Sequence, residues 1–176
     1  MKIPLECVGS RRDRAAAARP QVNCGLLLLG PRGLYLERFE QVVAHLLAQG
    51  RVTRFLVSYN SGFSGYSFAL ARLLQPYPLV SAAVVLRFPC LLQDPEEDAR
   101  PYLKSGLFQE VFACLPPTRN YRAASLREGR AIVDHSACLI CNSARDHPLA
   151  DSLARHLRKN PRPVFDLALE QTLPPL

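Results

Sequence analysis

The residues of this 176-residue chain best suited to chemistry are small polar residues in turns that follow apolar runs. Gly9-Ser10-Arg11 offers a backbone that can approach a ligand closely, a hydroxyl, and a guanidinium fork matched to phosphate. The turn 58–65 brings Ser58, Asn60, Ser61, Gly62, Ser64 and Gly65 to the entry of a helix, where unpaired backbone N–H groups can cradle an anion. It is not a Walker loop, because no lysine follows Gly65, and it does not fit G-x-G-x-x-G. Asn142 and Ser143 follow a third apolar run and suit a ligand contact or a helix cap equally. Arg130 and Asp134, four apart on one helix face, are open between a ligand role and a surface ion pair.

Groups for acid–base or covalent catalysis are scarce. His45, His135, His147 and His156 stand at no recognisable spacing from a nucleophile, and no two carboxylates suggest an acid and a base. Cys138-x-x-Cys141 looks like half a zinc or redox motif, yet it lies in a strand-like run where residues three apart face opposite sides. No second pair has metal-ligand spacing, so packed, reduced thiols are expected, and neither a metal nor a cofactor is implied.

The elements that must hold these turns follow from periodicity. Ile3–Val8 reads as a strand running into Gly9, and Leu34–Gln49 as an amphipathic helix stopped by Gly50. Thr53–Ser58 reads as a strand, Tyr66–Leu74 as the helix after the glycine turn, and Leu79–Phe88 as a central parallel strand covered on both faces. A weaker helix over Glu96–Ser105, a strand over Glu110–Cys114 and a Pro116-Pro117 break come next. They lead to a helix over Arg122–Asp134, a strand over Ala137–Cys141, a helix over Pro148–Lys159 and a strand over Pro163–Leu167. Ala15–Arg32 has no assignment, and Leu26–Leu29 is open between a short strand and plain packing. Strands alternating with helices imply an α/β Rossmann-like three-layer sandwich with a mainly parallel central sheet. One domain over 1–170 with a loose tail at 171–176 is expected.

With 48% hydrophobic and 21% charged residues, the composition is that of a globular protein. No apolar stretch approaches the roughly 20 residues needed to span a bilayer, so no membrane partner is expected. The first residues place charge after a short apolar run, the reverse of a secretory signal, which points to a cytoplasmic protein. The net charge of +7 favours anionic partners, phosphates or nucleic acid.

Taken together, the turns resemble those of the YpsA-like branch of the SLOG superfamily, the Rossmann-like group that also holds the DprA/Smf and LOG proteins. That branch opens with a strand ending in Cys-x-x-Thr-Gly-His-Arg, which Cys7-Val8-Gly9-Ser10-Arg11 resembles. Its Ser-Gly-Gly-Ala-Leu-Gly-x-Asp turn corresponds to Ser58–Tyr66, and its Asn-Arg-x-Met-Val-Asp-x-Ser is similar to Gly129–Ser136, the most specific match. The central turn lacks the family's double glycine and its aspartate, with Tyr66 near the acid's place, and the Pro-Gly-Gly-x-Gly-Thr signature of LOG phosphoribohydrolases is absent. The resemblance implies a Rossmann-like fold, a nucleotide-type ligand and, as is usual for relatives, a homodimer.

Three functions are therefore in play. The first is a non-catalytic or weakly catalytic binder of a nucleotide or nucleotide-derived phosphate ligand. The second is a hydrolase of a glycosidic or phosphate bond in such a ligand, with Ser64, Arg130 and Asp134 as participants. The third is a DprA-like nucleic-acid binder that uses the basic surface. The missing acid–base pair favours binding over catalysis.

Overall fold

The computed structural model describes residues 1–12, 19–30, 32–87, 94–114, 118, 120–142 and 147–169. The expected Pro116-Pro117 break, the loose tail at 171–176, the end of a strand at Phe88 and the turn residue Ser143 lie outside these. The described residues form seven strands: β1 (Leu5–Ser10), β2 (Asn23–Leu27), β3 (Arg54–Ser58), β4 (Ser81–Leu86), β5 (Glu110–Cys114), β6 (Cys138–Cys141) and β7 (Val164–Asp166). Between them run α1 (Leu36–Ala48), α2 (Gly65–Leu74), α3 (Pro95–Lys104), α4 (Tyr121–Asp134) and α5 (Ala150–Lys159).

Local chemistry explains the helix ends. Asp94 accepts the Glu96 N–H at 2.9 Å to start α3, with a proline at the first turn and Glu96, Glu97 and Asp98 against the positive end of the dipole. Asn120 caps α4 by accepting the Ala123 N–H at 2.9 Å. Gly50 ends α1 with a φ of 66°, the left-handed conformation that glycine adopts without strain.

The sheet order is β1-β5-β4-β3-β2-β6-β7, parallel throughout except for β1. Successive residues of the central strands face opposite layers. Leu26, Phe55, Val57, Val84 and Ile140 pack with Phe39, Leu70 and Ala99 of α1, α2 and α3. Leu27, Leu56, Val85 and Leu139 pack with Ile132 of α4 and Leu153 of α5. The result is the Rossmann-like three-layer sandwich. Cys138 and Cys141 do face opposite sides of β6, and both thiols are free. Among the described residues, no helix is long and apolar enough to cross a membrane.

Two features depart from the expected pattern. Leu26–Leu29 does contain strand, as the end of β2, which lies at the centre of the sheet and is buried along its whole length. In contrast, β1 is an edge strand antiparallel to β5, pairing Leu5 with Cys114 and Ser10 with Glu110. Its half-exposed residues and the shift in register between Cys7 and Gly9 suit an edge. Strand periodicity carries no information about direction, so the reversal was invisible in the sequence. As a consequence Ser10 lies beside the first residue of β5, at the amino-terminal end of the parallel strands.

Candidate functional site

In this topology the chain leaves β2 in one direction, through β3, β4 and β5, and returns to the other side of β2 for β6 and β7. The loops after β2 and β6 therefore diverge to opposite faces, and a crevice opens between them at the carboxyl ends of the strands, where open α/β sheets bind ligands. A cavity of about 360 Å³ occupies that crevice. One wall is apolar: Leu27, Leu28, Leu29 and Leu34 from β2 and its loop, with Leu149 and Leu153 from the segment entering and forming α5. The other wall is polar, with Ser58 and Asn60 after β3, Arg87 after β4, Ser125 and Glu128 on α4, Asn142 after β6, and His147.

The centre of the polar wall is a buried ion pair. Arg87 Nε donates to Glu128 Oε2 at 2.9 Å, with the two side chains 3% and 2% exposed. The other Glu128 oxygen accepts the Ser58 hydroxyl and the Tyr59 N–H, each at 2.7 Å. Burial pushes the Glu128 carboxyl up from its ordinary value, against the opposing pull of Arg87, Ser58 and the Tyr59 N–H. With three donors on its two oxygens, this carboxylate is a clamp for Arg87. Arg87 Nη1 donates to the Tyr121 hydroxyl at 2.6 Å, and the guanidinium lies 4.9 Å from the Tyr121 ring centroid and 5.5 Å from that of Tyr59. Its second terminal nitrogen has no protein acceptor among the described residues.

The loop after β2 carries backbone strain. Leu28 and Tyr35 have φ of 61° and 65°, a region costly for residues with a Cβ, and they bracket the segment that rims the cavity. Gly33, at φ 63°, brings this loop against the start of α2: a Cβ on Gly65 would lie 3.8 Å from the Gly33 Cα.

The sequence-derived candidates are dispersed by the structure. Ser58, Asn60 and Asn142 line the cavity. Ser61, Gly62, Ser64 and Gly65 form the neighbouring turn, and the serines spend their hydroxyls on backbone carbonyls. Ser61 donates to the Leu29 carbonyl and Ser64 to the Ser61 carbonyl, each at 2.8 Å. Gly62 is small because a Cβ there would sit 3.1 Å from the Tyr102 ring. Gly9, Ser10 and Arg11 do not join this end of the sheet. They lie at the opposite one, where the Arg11 guanidinium donates to the Leu103 carbonyl at the end of α3. Asp134 also lies there, bonded to His156 Nε2 at 2.8 Å, and not to Arg130, whose buried Nε has no partner among the described residues.

Sequence reasoning passed over Arg87, Glu128 and Ser125, and weighed His147 only as a catalytic group without a nucleophile. Two of them left a signal. Glu128 falls four residues from Ala124 and from Ile132, on the buried face of α4, where an unpaired carboxylate would be very costly. Arg87 directly follows six fully buried strand residues and is itself 4% exposed. Among the described residues no three His, Cys, Asp or Glu side chains gather as a metal site requires. No known family model and no curated protein matches this chain.

Proposed function

We propose that the protein binds a small phosphate-bearing molecule, a nucleotide or nucleotide derivative, in the crevice between the carboxyl ends of β2 and β6. The observation that carries this reading is the cavity at the switch point of the sheet, with a clamped arginine on one wall and leucines on the other. The leucine wall suits a base or another apolar body, and Asn60, Arg87 and Asn142 supply donors for an anion. A divergent YpsA-like chain of the SLOG superfamily would use the same site, since the resembling central turn begins with Ser58 and Asn60, which line the cavity. Binding is favoured over hydrolysis because both oxygens of the buried carboxylate are engaged by donors and, among the described residues lining the cavity, no second acid stands beside it.

Differential scanning fluorimetry with nucleoside mono- and diphosphates, ADP-ribose and nicotinamide dinucleotides tests the reading. A concentration-dependent rise in melting temperature is expected for at least one of them and is lost in Asn142→Asp, which sets a negative charge in the polar wall. No shift with any member of the panel, on a chain that melts cooperatively, would count against it.

A further inference from the structure

Of the four histidines, three are held by the protein through Nε2. His135 meets the Ile3 carbonyl at 2.8 Å, His156 meets Asp134 at 2.8 Å, and His45 meets Gln49 at 3.0 Å. His147 is turned the other way. Its Nδ1 accepts the Leu149 N–H at 3.2 Å, so that nitrogen bears no proton and the neutral ring carries its hydrogen on Nε2. Burial and the nearby Arg87 guanidinium lower the pKa of the ring, which keeps it neutral around pH 7. A neutral imidazole in this tautomer offers a hydrogen at Nε2 and no lone pair there. It can bind an oxygen, but it cannot take a proton at that atom.

We propose that His147 Nε2–H and the unclaimed terminal nitrogen of Arg87 together form the subsite for the phosphate of the ligand. The inference rests on the reading of the cavity as a ligand site and names the group of the ligand that these two residues hold. Both residues line the same cavity and reach it from distant parts of the chain: Arg87 directly follows β4, and His147 leads into α5. The acidic member of the wall, Glu128, has both oxygens occupied, so the arriving group must bring the acceptors. Phosphate meets that need with several oxygens and a charge that a guanidinium edge recognises well. His147 acts here as a binding residue and assists no proton transfer.

The test is nitrogen-15 NMR on the full chain titrated with inorganic phosphate, with acetate at matched ionic strength as the comparison. In the free protein the His147 ring is expected as the Nε2–H tautomer. Phosphate is expected to move the His147 ring and the Arg87 Nε–H together, saturably and with one Kd. His147→Gln, which keeps a donor near the same place, should bind within about threefold of the parent, and His147→Leu about tenfold or more weakly. A Nδ1–H tautomer, a ring that phosphate does not move, equal binding by the Leu variant, or acetate binding as tightly as phosphate would each overturn the assignment. Nucleotide binding with a silent His147 ring defeats this inference and leaves the proposed function standing. Saturable phosphate shifts at both residues, without tighter binding of any nucleotide, do the reverse.

Discussion

Two buried guanidinium–carboxylate clusters close the two ends of the central strands, and they differ in what is left over. At the amino-terminal end Glu110 accepts from Arg12, Arg54 and the Ser81 hydroxyl at 3.2 Å each, while Arg54 also donates to Asn23 at 2.9 Å. Neighbouring cations are occupied as well, Arg11 on the Leu103 carbonyl and Arg72 on Glu40. Helix carboxyl ends gather there, and cations near them offset the negative end of the dipole without any ligand. Both ends border a cavity, of about 540 Å³ beside Arg11, Arg12, Arg72 and Ser81 and of about 360 Å³ at the carboxyl-terminal end, but at the latter one arginine meets one carboxylate and keeps a terminal nitrogen with no protein acceptor among the described residues. A buried ion pair by itself is therefore poor evidence of function. The unspent donor, together with backbone that opens helices and does not end them, separates a site from a staple.

The strongest way to break this contrast is to remove each carboxylate. Glu128→Ala and Glu110→Ala each leave buried guanidinium charge without its acid and should cost about 3–5 kcal/mol of unfolding free energy in urea titrations. Only the Glu128 variant should also lose its nucleotide-induced thermal shift. The double variant Arg87→Met/Glu128→Met is expected to recover most of the stability and none of the binding. Binding lost equally at both ends would mean that the clusters act through stability alone.

A matched pair of glycines sharpens the comparison further. Gly33, next to the cavity residue Leu34, and Gly50 at the far end of α1 both have φ near 65°, with no close contact for an added Cβ. Each Gly→Ala change should cost about 1–2 kcal/mol from conformation alone. Gly33→Ala alone is expected to weaken ligand binding, read as a smaller thermal shift at equal ligand concentration.

The next effect concerns pH. His147 has a lowered pKa in the folded chain, so the folded state takes up its proton less readily than the unfolded one. Its contribution to stability is complete above an unfolded value of about 6.5 and is lost as pH falls through the lower folded value. Urea midpoints of the parent should therefore fall more steeply than those of His147→Gln as pH drops below that point, and parallel curves would contradict it. The smallest expected change is at Tyr35, whose half-exposed side chain sits on left-handed backbone. Tyr35→Asn should raise stability by up to about 1 kcal/mol in the same titrations, because asparagine tolerates that conformation better.

Much of this architecture was legible residue by residue. The period of α1 and its glycine stop, the apolar run of β4 and the cap-to-charge pattern of α3 are local effects, set by neighbours within a few positions. Ser58, Asn60 and Asn142 were legible as residues at the carboxyl ends of parallel strands, where they line the cavity, because a strand end followed by small polar residues marks that edge of the sheet. Gly9–Arg11 carried the same local signature and lies at the other end, since a strand looks the same read up or down the sheet. Glu128 was hidden for a different reason. An acid on the buried face of a helix has meaning only when its partner is known, and Arg87 lies 41 residues away.

What the sequence alone determined is therefore the set of elements, their alternation and the α/β class, because hydrophobic period and capping act at short range. What only the tertiary structure decided is which strand ends share a crevice, the reversed edge strand, and the clamp of Ser58, Arg87 and Glu128. Those depend on the direction and neighbours of each strand, and pairings between distant segments leave no periodic trace in the chain.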